Sequence, residues 1–140
     1  MTAFVRTSLV EGPLDPRAIE DAARDPHCGA LASFVGVVRD HDGGADVVGI
    51  DYSAHPLAAE ALAEVASEFA DRVGVHRIEV HHRVGGLRVG DEAMVVAVAA
   101  EHRAQAFSTI SAIVDEVKAR VPIWKKQYLL DGSHEWSGLP

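Results

Sequence analysis

Apolar positions alternate along some stretches of this chain and recur at steps of three and four along others; the switch between the two periods marks out the elements. Residues 3–10 predict a first strand, with Phe4, Val5, Leu9 and Val10 apolar. Asp15 and Pro16 open a short helix, because Asp caps a helix start and Pro is tolerated in the first turn. Pro26 ends it. The run CGALASFVGVV at 28–38 is small and β-branched and predicts a second strand. Arg39 to Ala45 is polar and glycine-bearing, hence a loop. Residues 46–54 predict a third strand, in which Val48, Ile50 and Tyr52 alternate.

Pro56 begins a long helix whose apolar stripe is Ala58, Leu62, Val65, Phe69 and Val73. Val75 to Val84 predicts a strand. Gly85-Gly86 and Gly90-Asp91 supply turn chemistry before the apolar run MVVAVAA at 94–100, so these two strands form a hairpin. A second long helix spans Ala104 to Arg120, burying Phe107, Ile110, Val114, Val117 and Val121. Pro122 stops it, since the residue before a proline is pushed out of the helical region. A last strand covers 123–130. The order β-α-β-β-α-β-β-α-β predicts an α+β fold, with helices packed on a largely antiparallel sheet.

The length of 140 residues fits a single domain over 1–140. A net charge of −8 argues against general binding to nucleic acid or an anionic membrane, both of which need excess positive surface. No apolar run reaches the ~20 residues of a membrane span. The opening stretch MTAFVRTSLVEG lacks the apolar core and cleavage site of a secretory signal. A single cysteine, Cys28, excludes an internal disulfide and reads as a buried small hydrophobe. A cytoplasmic location is therefore expected.

Against this acidic background the lysines stand apart. All three, Lys118, Lys125 and Lys126, fall within nine residues, while the other ten basic residues are arginine. Arginine stays charged, whereas lysine can lose its proton and act as nucleophile or base. Lys118 lies at the edge of the helix stripe, where it either complements the helix-end carbonyls or reaches a crevice. Lys125 follows the turn at Pro122, so the two amines can converge on one pocket and depress each other's proton affinity. Lys126 alternates to the other side of an extended segment.

Glu101-His102-Arg103 sits where the most apolar strand hands over to a helix, a place where free backbone N–H groups bind anions. Arg39-Asp40-His41 opens the polar loop after a buried strand, either as a site or as plain loop. Trp124 beside two lysines can stack on a flat heterocycle or pack in the core. His81 and His82 are adjacent on a strand and point to opposite faces, so they cannot chelate one metal. Paired-cysteine and helical two-histidine zinc patterns are absent from the sequence, and no metal site is expected.

Taken together, GALASFVGVVRDHDGG (29–44), HRVGGLRVGDEAMVVAVAAEHRAQAF (82–107) and KARVPIWKK (118–126) resemble the large, catalytic subunit of molybdopterin synthase. The resemblance covers nearly the whole chain and implies an α/β hammerhead-type fold. It implies sulfur transfer to cyclic pyranopterin monophosphate from the C-terminal thiocarboxylate of a small ubiquitin-like subunit. The products of that chemistry are the dithiolene of molybdopterin and an opened cyclic phosphate. It implies a homodimer of large subunits inside a heterotetramer, a pocket drawing on both large subunits, and no metal or organic cofactor.

Carried onto this sequence, the resemblance makes Lys118 the central catalytic amine, with Lys125 assisting. Arg39, His102 and Arg103 become phosphate contacts, Lys126 a further substrate contact, and Phe34 a lining residue. Gln127 departs from the glutamate that members often carry after the paired lysines. A non-catalytic module holding a ubiquitin-like tail or a phosphorylated ligand is the alternative reading of the same basic pocket.

Overall fold

The computed structural model describes residues 2–138. In chain order the elements are β1 (Phe4–Val10), α1 (Pro16–Ala22), β2 (Ala30–Val37), β3 (His41–Asp42), β4 (Ala45–Ala54) and α2 (Ala58–Ser67). They continue with β5 (Val75–Arg83), β6 (Gly85–Arg88), β7 (Glu92–Ala100), α3 (Arg103–Arg120), β8 (Ile123–Leu129) and β9 (His134–Gly138). The strands form two sheets rather than one. The first has the order β1-β5-β7-β2, and the second runs β3-β4-β8-β9 with β6 also paired to β4. Only the β1–β5 pairing is parallel among the described strands. The expected α+β, largely antiparallel architecture is present.

The run at 94–100 is buried throughout because both faces of β7 are covered. Met94, Val96 and Val98 face Leu62, Val65, Ile110, Ile113 and Val117 of α2 and α3. Val95 and Ala97 face Ile19 and Ala23, which belong to the α1 segment. A strand buried on both sides loses the polar alternation of a half-exposed one. A separate apolar cluster of Val38, Val47, Ile50, Leu87 and Ala93 joins the second sheet to the first.

Several boundaries differ from expectation, for local reasons. Asp15 caps α1 by accepting a 3.2 Å bond from the Ala18 amide, as its position before Pro16 predicts. The helix after Pro56 ends at Ser67, so Val73 sits in a turn and is 85% exposed instead of completing the stripe. Phe69 is nevertheless buried, through that turn. Phe107 was expected on the buried face of α3 and is 64% exposed. Its neighbours Ala106 and Ile110 take the inward positions.

The stretch predicted as a loop at Arg39 to Ala45 contains β3, a two-residue strand. Gly85 to Arg88 is not only turn: it pairs antiparallel with β4, from Gly49↔Arg88 to Tyr52↔Gly85. Strand β9 was not expected; it pairs with β8.

Candidate active site

The two sheets meet around an open cleft of about 600 Å³. Its wall is assembled from the ends of both sheets and the last turns of α3. Strand β2 supplies Phe34 and leads to Arg39, β5 supplies His82, and α3 supplies Val117 and Lys118. Strand β4 contributes Tyr52, β8 contributes Lys125 and Gln127, and β9 contributes Ser137. A register shift at Gly36/Val37 bends the end of β2 where Arg39 leaves the sheet. Bulges of this kind re-aim side chains next to functional sites.

Four of the sequence-predicted residues, Phe34, Arg39, Lys118 and Lys125, thus line one cleft. The two lysines come from different elements, since Val121 breaks the helix and Pro122 turns the chain into β8. In β8 the side chains alternate. Lys125 pairs with Tyr52 and Gln127 with Ile50, all lining the cleft. Lys126 lies on the opposite face, its Nζ 5.3 Å from the Tyr128 ring centre and 5.4 Å from that of Trp136. It is an aromatic-packed cation outside the cleft.

His102 and Arg103 are also outside it. They open α3 while Lys118 lies near its end, and sixteen and fifteen residues at 1.5 Å rise separate His102 and Arg103 from it by roughly 22–24 Å. Both are exposed at the helix start, where Gln105 Oε1 accepts a 3.0 Å bond from the His102 amide. The approach to this turn is braced from below. His76 pairs with Glu101 at 2.8 Å, and the Glu101 amide donates to the Gly74 carbonyl at 2.8 Å. The His76 ring stacks 5.6 Å from that of His27, which in turn pairs with Asp25 at 3.2 Å. Asp25, His27 and His76 bring ligand atoms within 4.8 Å of one another, a grouping that sequence spacing did not reveal. Each histidine already has a carboxylate partner, so the group reads as a hydrogen-bonded brace. Cys28, beside it, is half-buried; desolvation first, then Asp25 and Glu101, push its thiol up, so it is no thiolate nucleophile.

The cleft also holds residues that sequence reasoning missed. Asp42 of β3 accepts a 2.7 Å bond from Gln127 Nε2 and one of 3.4 Å from Arg39. The Gln127 bond, then the charges of Lys125 and Arg39, hold the Asp42 carboxyl below its ordinary value. Tyr52 meets His82 edge to face, with ring centres 5.1 Å apart, and burial pushes its phenol up so that it stays protonated. The His82 ring donates from Nδ1 to the Arg83 carbonyl at 2.7 Å. Burial, and then the charge of Lys118, push its imidazole below the ordinary value, against the pull of that bond. His81 faces the other way and is absorbed by Ser8 and Glu79, at 2.6 and 2.8 Å. The signal for His82 was present in the sequence: it continues the inward row Ile78, Val80 on β5 and is the polar member of that row.

A cleft that gathers two lysines and an arginine in an acidic chain is built to hold anions, with an aromatic wall at Phe34 and Tyr52 for a flat ring. The model of the MoaE protein family matches residues 9–120. The molybdopterin synthase catalytic subunit 1 of Mycobacterium tuberculosis is 36% identical over 137 residues, spanning 97% of this chain and 92% of that protein. The molybdopterin synthase catalytic subunit of Halalkalibacterium halodurans is 34% identical over 134 residues, spanning 95% of this chain and 85% of that one. The crystal structure of molybdopterin synthase from Staphylococcus aureus has the same fold, with a TM-score of 0.85 at 28% identity, over 94% of this chain and 96% of that chain. Matched along most of its length in sequence and in fold, the chain belongs to the MoaE protein family.

Proposed function

We propose that this chain is the sulfur-transferring subunit of a molybdopterin synthase and works as a single-domain cytoplasmic enzyme. The observation that carries the reading is the convergence of Lys118, Lys125 and Arg39 on one cleft in a chain of net charge −8. The reaction brings together two anions, a cyclic phosphate ester and a thiocarboxylate, and neither could approach an acidic surface without local positive charge.

Arg39 binds the phosphate through its planar fork of donors. Phe34 lies against the flat pterin. Lys118 offers its nitrogen to the acyl oxygen of the thiocarboxylate as charge develops there, the role of an oxyanion donor. Lys125 anchors the substrate from the facing strand and shares its proton transfers. The tail of a small ubiquitin-like subunit enters through the open side of the cleft; relatives named as catalytic subunits imply a companion of this kind.

His102 and Arg103 act in the cleft of a second copy. Their distance from Lys118 within one chain excludes a shared site in the monomer. Exposed Phe107 lies one turn from Arg103 and offers apolar surface for that contact. The assembly is a homodimer of this chain with one small subunit bound to each copy. No helix of the described residues is long and apolar enough to cross a membrane.

Reconstitution tests the reading. The purified chain, a thiocarboxylated small subunit and the cyclic precursor should yield the dithiolene product by mass spectrometry. Binding of both ligands with no sulfur incorporated would favour a non-catalytic module.

A further inference from the structure

We infer that His82 is the proton acceptor of the cleft, taking a proton from the water that frees the small subunit after each sulfur transfer. The inference rests on the sulfur-transfer reading above. Attack by the thiocarboxylate sulfur on a pterin side-chain carbon forms a carbon–sulfur bond as a carbon–oxygen bond at that carbon breaks. The oxygen leaves on the opened phosphate or as water, and the sulfur is then joined both to the pterin and to the carbonyl carbon of the small subunit. This acyl–sulfur bond must break before the subunit can leave. Water adds through oxygen to the carbonyl carbon and passes a proton to a base. The acyl carbon–sulfur bond then breaks, releasing the carboxyl group of the small subunit, which loses its remaining proton to solvent, and the sulfur on the pterin. No oxidant or reductant is involved. The base gives its proton to the departing sulfur or to solvent.

His82 has the features this step needs. The bond from Nδ1 to the Arg83 carbonyl fixes the tautomer, because a carbonyl only accepts, and so leaves the Nε2 lone pair free. Nε2 has no protein partner among the described residues, and the residue lines the cleft beside Lys118. The edge contact with Tyr52 fixes the ring plane. Its strand neighbours in register, Leu9 of β1 and Met94 of β7, are apolar. The charged groups facing it across the cleft are Lys118, Arg39, Lys125 and Asp42, with Tyr52 protonated. Burial and Lys118 keep the ring neutral, hence able to accept. An anion arriving against Lys118 offsets that charge and raises the ring's basicity at the moment it is needed.

His82→Asn tests the inference, because the Asn amide keeps a donor toward the Arg83 carbonyl and removes the base. In single-turnover reconstitution the variant should form the covalent small-subunit–pterin adduct, visible by mass spectrometry, and release it about a hundredfold more slowly. The parent's release rate should fall on acidification through the His82 titration, a limb missing from the variant. His82→Ala should regain rate with added imidazole. Release by His82→Asn at the parent rate, with the parent's pH profile, would overturn the inference. So would slow turnover without adduct and without imidazole rescue, which would mark a purely structural role. A parent chain that makes no product at all would instead sink the sulfur-transfer reading.

Discussion

The Gln127 amide donates a 2.7 Å hydrogen bond to the carboxylate of Asp42, tying the short strand β3 to the middle of β8 across the mouth of the cleft. Gln127 is buried. In this chain a glutamate would set two carboxylates against each other. Gln127→Glu should lower the thermal midpoint at neutral pH by about 3–5 °C. The gap to the parent should close on acidification, as the carboxyl groups take up protons. Melting curves at pH 7 and pH 4 check this.

The same bond gives a pH dependence to the parent. Asp42 has a folded-state pKa below its unfolded value, so the unfolded chain binds the proton more readily. Its contribution is complete above the ordinary carboxylate range and is lost as pH falls through the lowered value. His82 acts in the same direction near neutrality. Its depressed pKa favours the folded state above the ordinary imidazole range, and that advantage fades on acidification. In Lys118→Met, one of the two causes of the depression is gone. The His82 ring should then titrate at higher pH than in the parent, as followed by NMR of the imidazole.

Gly74 sets the position of the α3 start. Its φ of 79° is left-handed, and a β-carbon there would collide with the Gln105 side chain that caps His102. Gly74→Ala should cost about 1–2 kcal/mol through backbone strain. It should also weaken substrate binding, by displacing Gln105 from the turn that carries His102 and Arg103. Urea unfolding and a substrate titration of the assembled enzyme measure the two effects separately.

Leu62 is fully buried between α2 and the first sheet. Leu62→Ala should destabilise the chain by about 2–5 kcal/mol, with the spread set by how far the neighbours close the cavity. Because Leu62 is not among the residues that line the cleft, the remaining folded protein should keep its turnover number. Denaturant titration with activity corrected for folded fraction checks both statements.

The elements with strong periodicity were legible in sequence. Helix α3 was expected at 104–120 and spans Arg103–Arg120, since Pro122 and the apolar rhythm act locally. Strands β5 and β7 and their antiparallel pairing were legible for the same reason. Strand β6 was read as turn because its residues, Gly85 to Arg88, carry no local strand signal; its pairing with β4 is a tertiary event. The second sheet is built on the pairing of β4 with β8, which are far apart in the chain, while β9 folds back locally onto β8 from a segment that was read as tail. In the cleft, Lys118 and Lys125 were found because lysine is rare here. Asp42 and Tyr52 were not, because each acquires meaning only from the neighbour that the fold places beside it; His82 was weighed only as a metal ligand, although its place in the inward row of β5 was legible.

The most direct measurement is single-turnover sulfur incorporation by the parent and by Lys118→Ala. Each would be supplied with thiocarboxylated small subunit and cyclic precursor, and the pterin read by mass spectrometry. Lys118→Ala should bind the small subunit with unchanged affinity, melt close to the parent, and form no detectable dithiolene. Dithiolene formed by that variant at the parent's rate would contradict the assignment of the cleft as the catalytic centre.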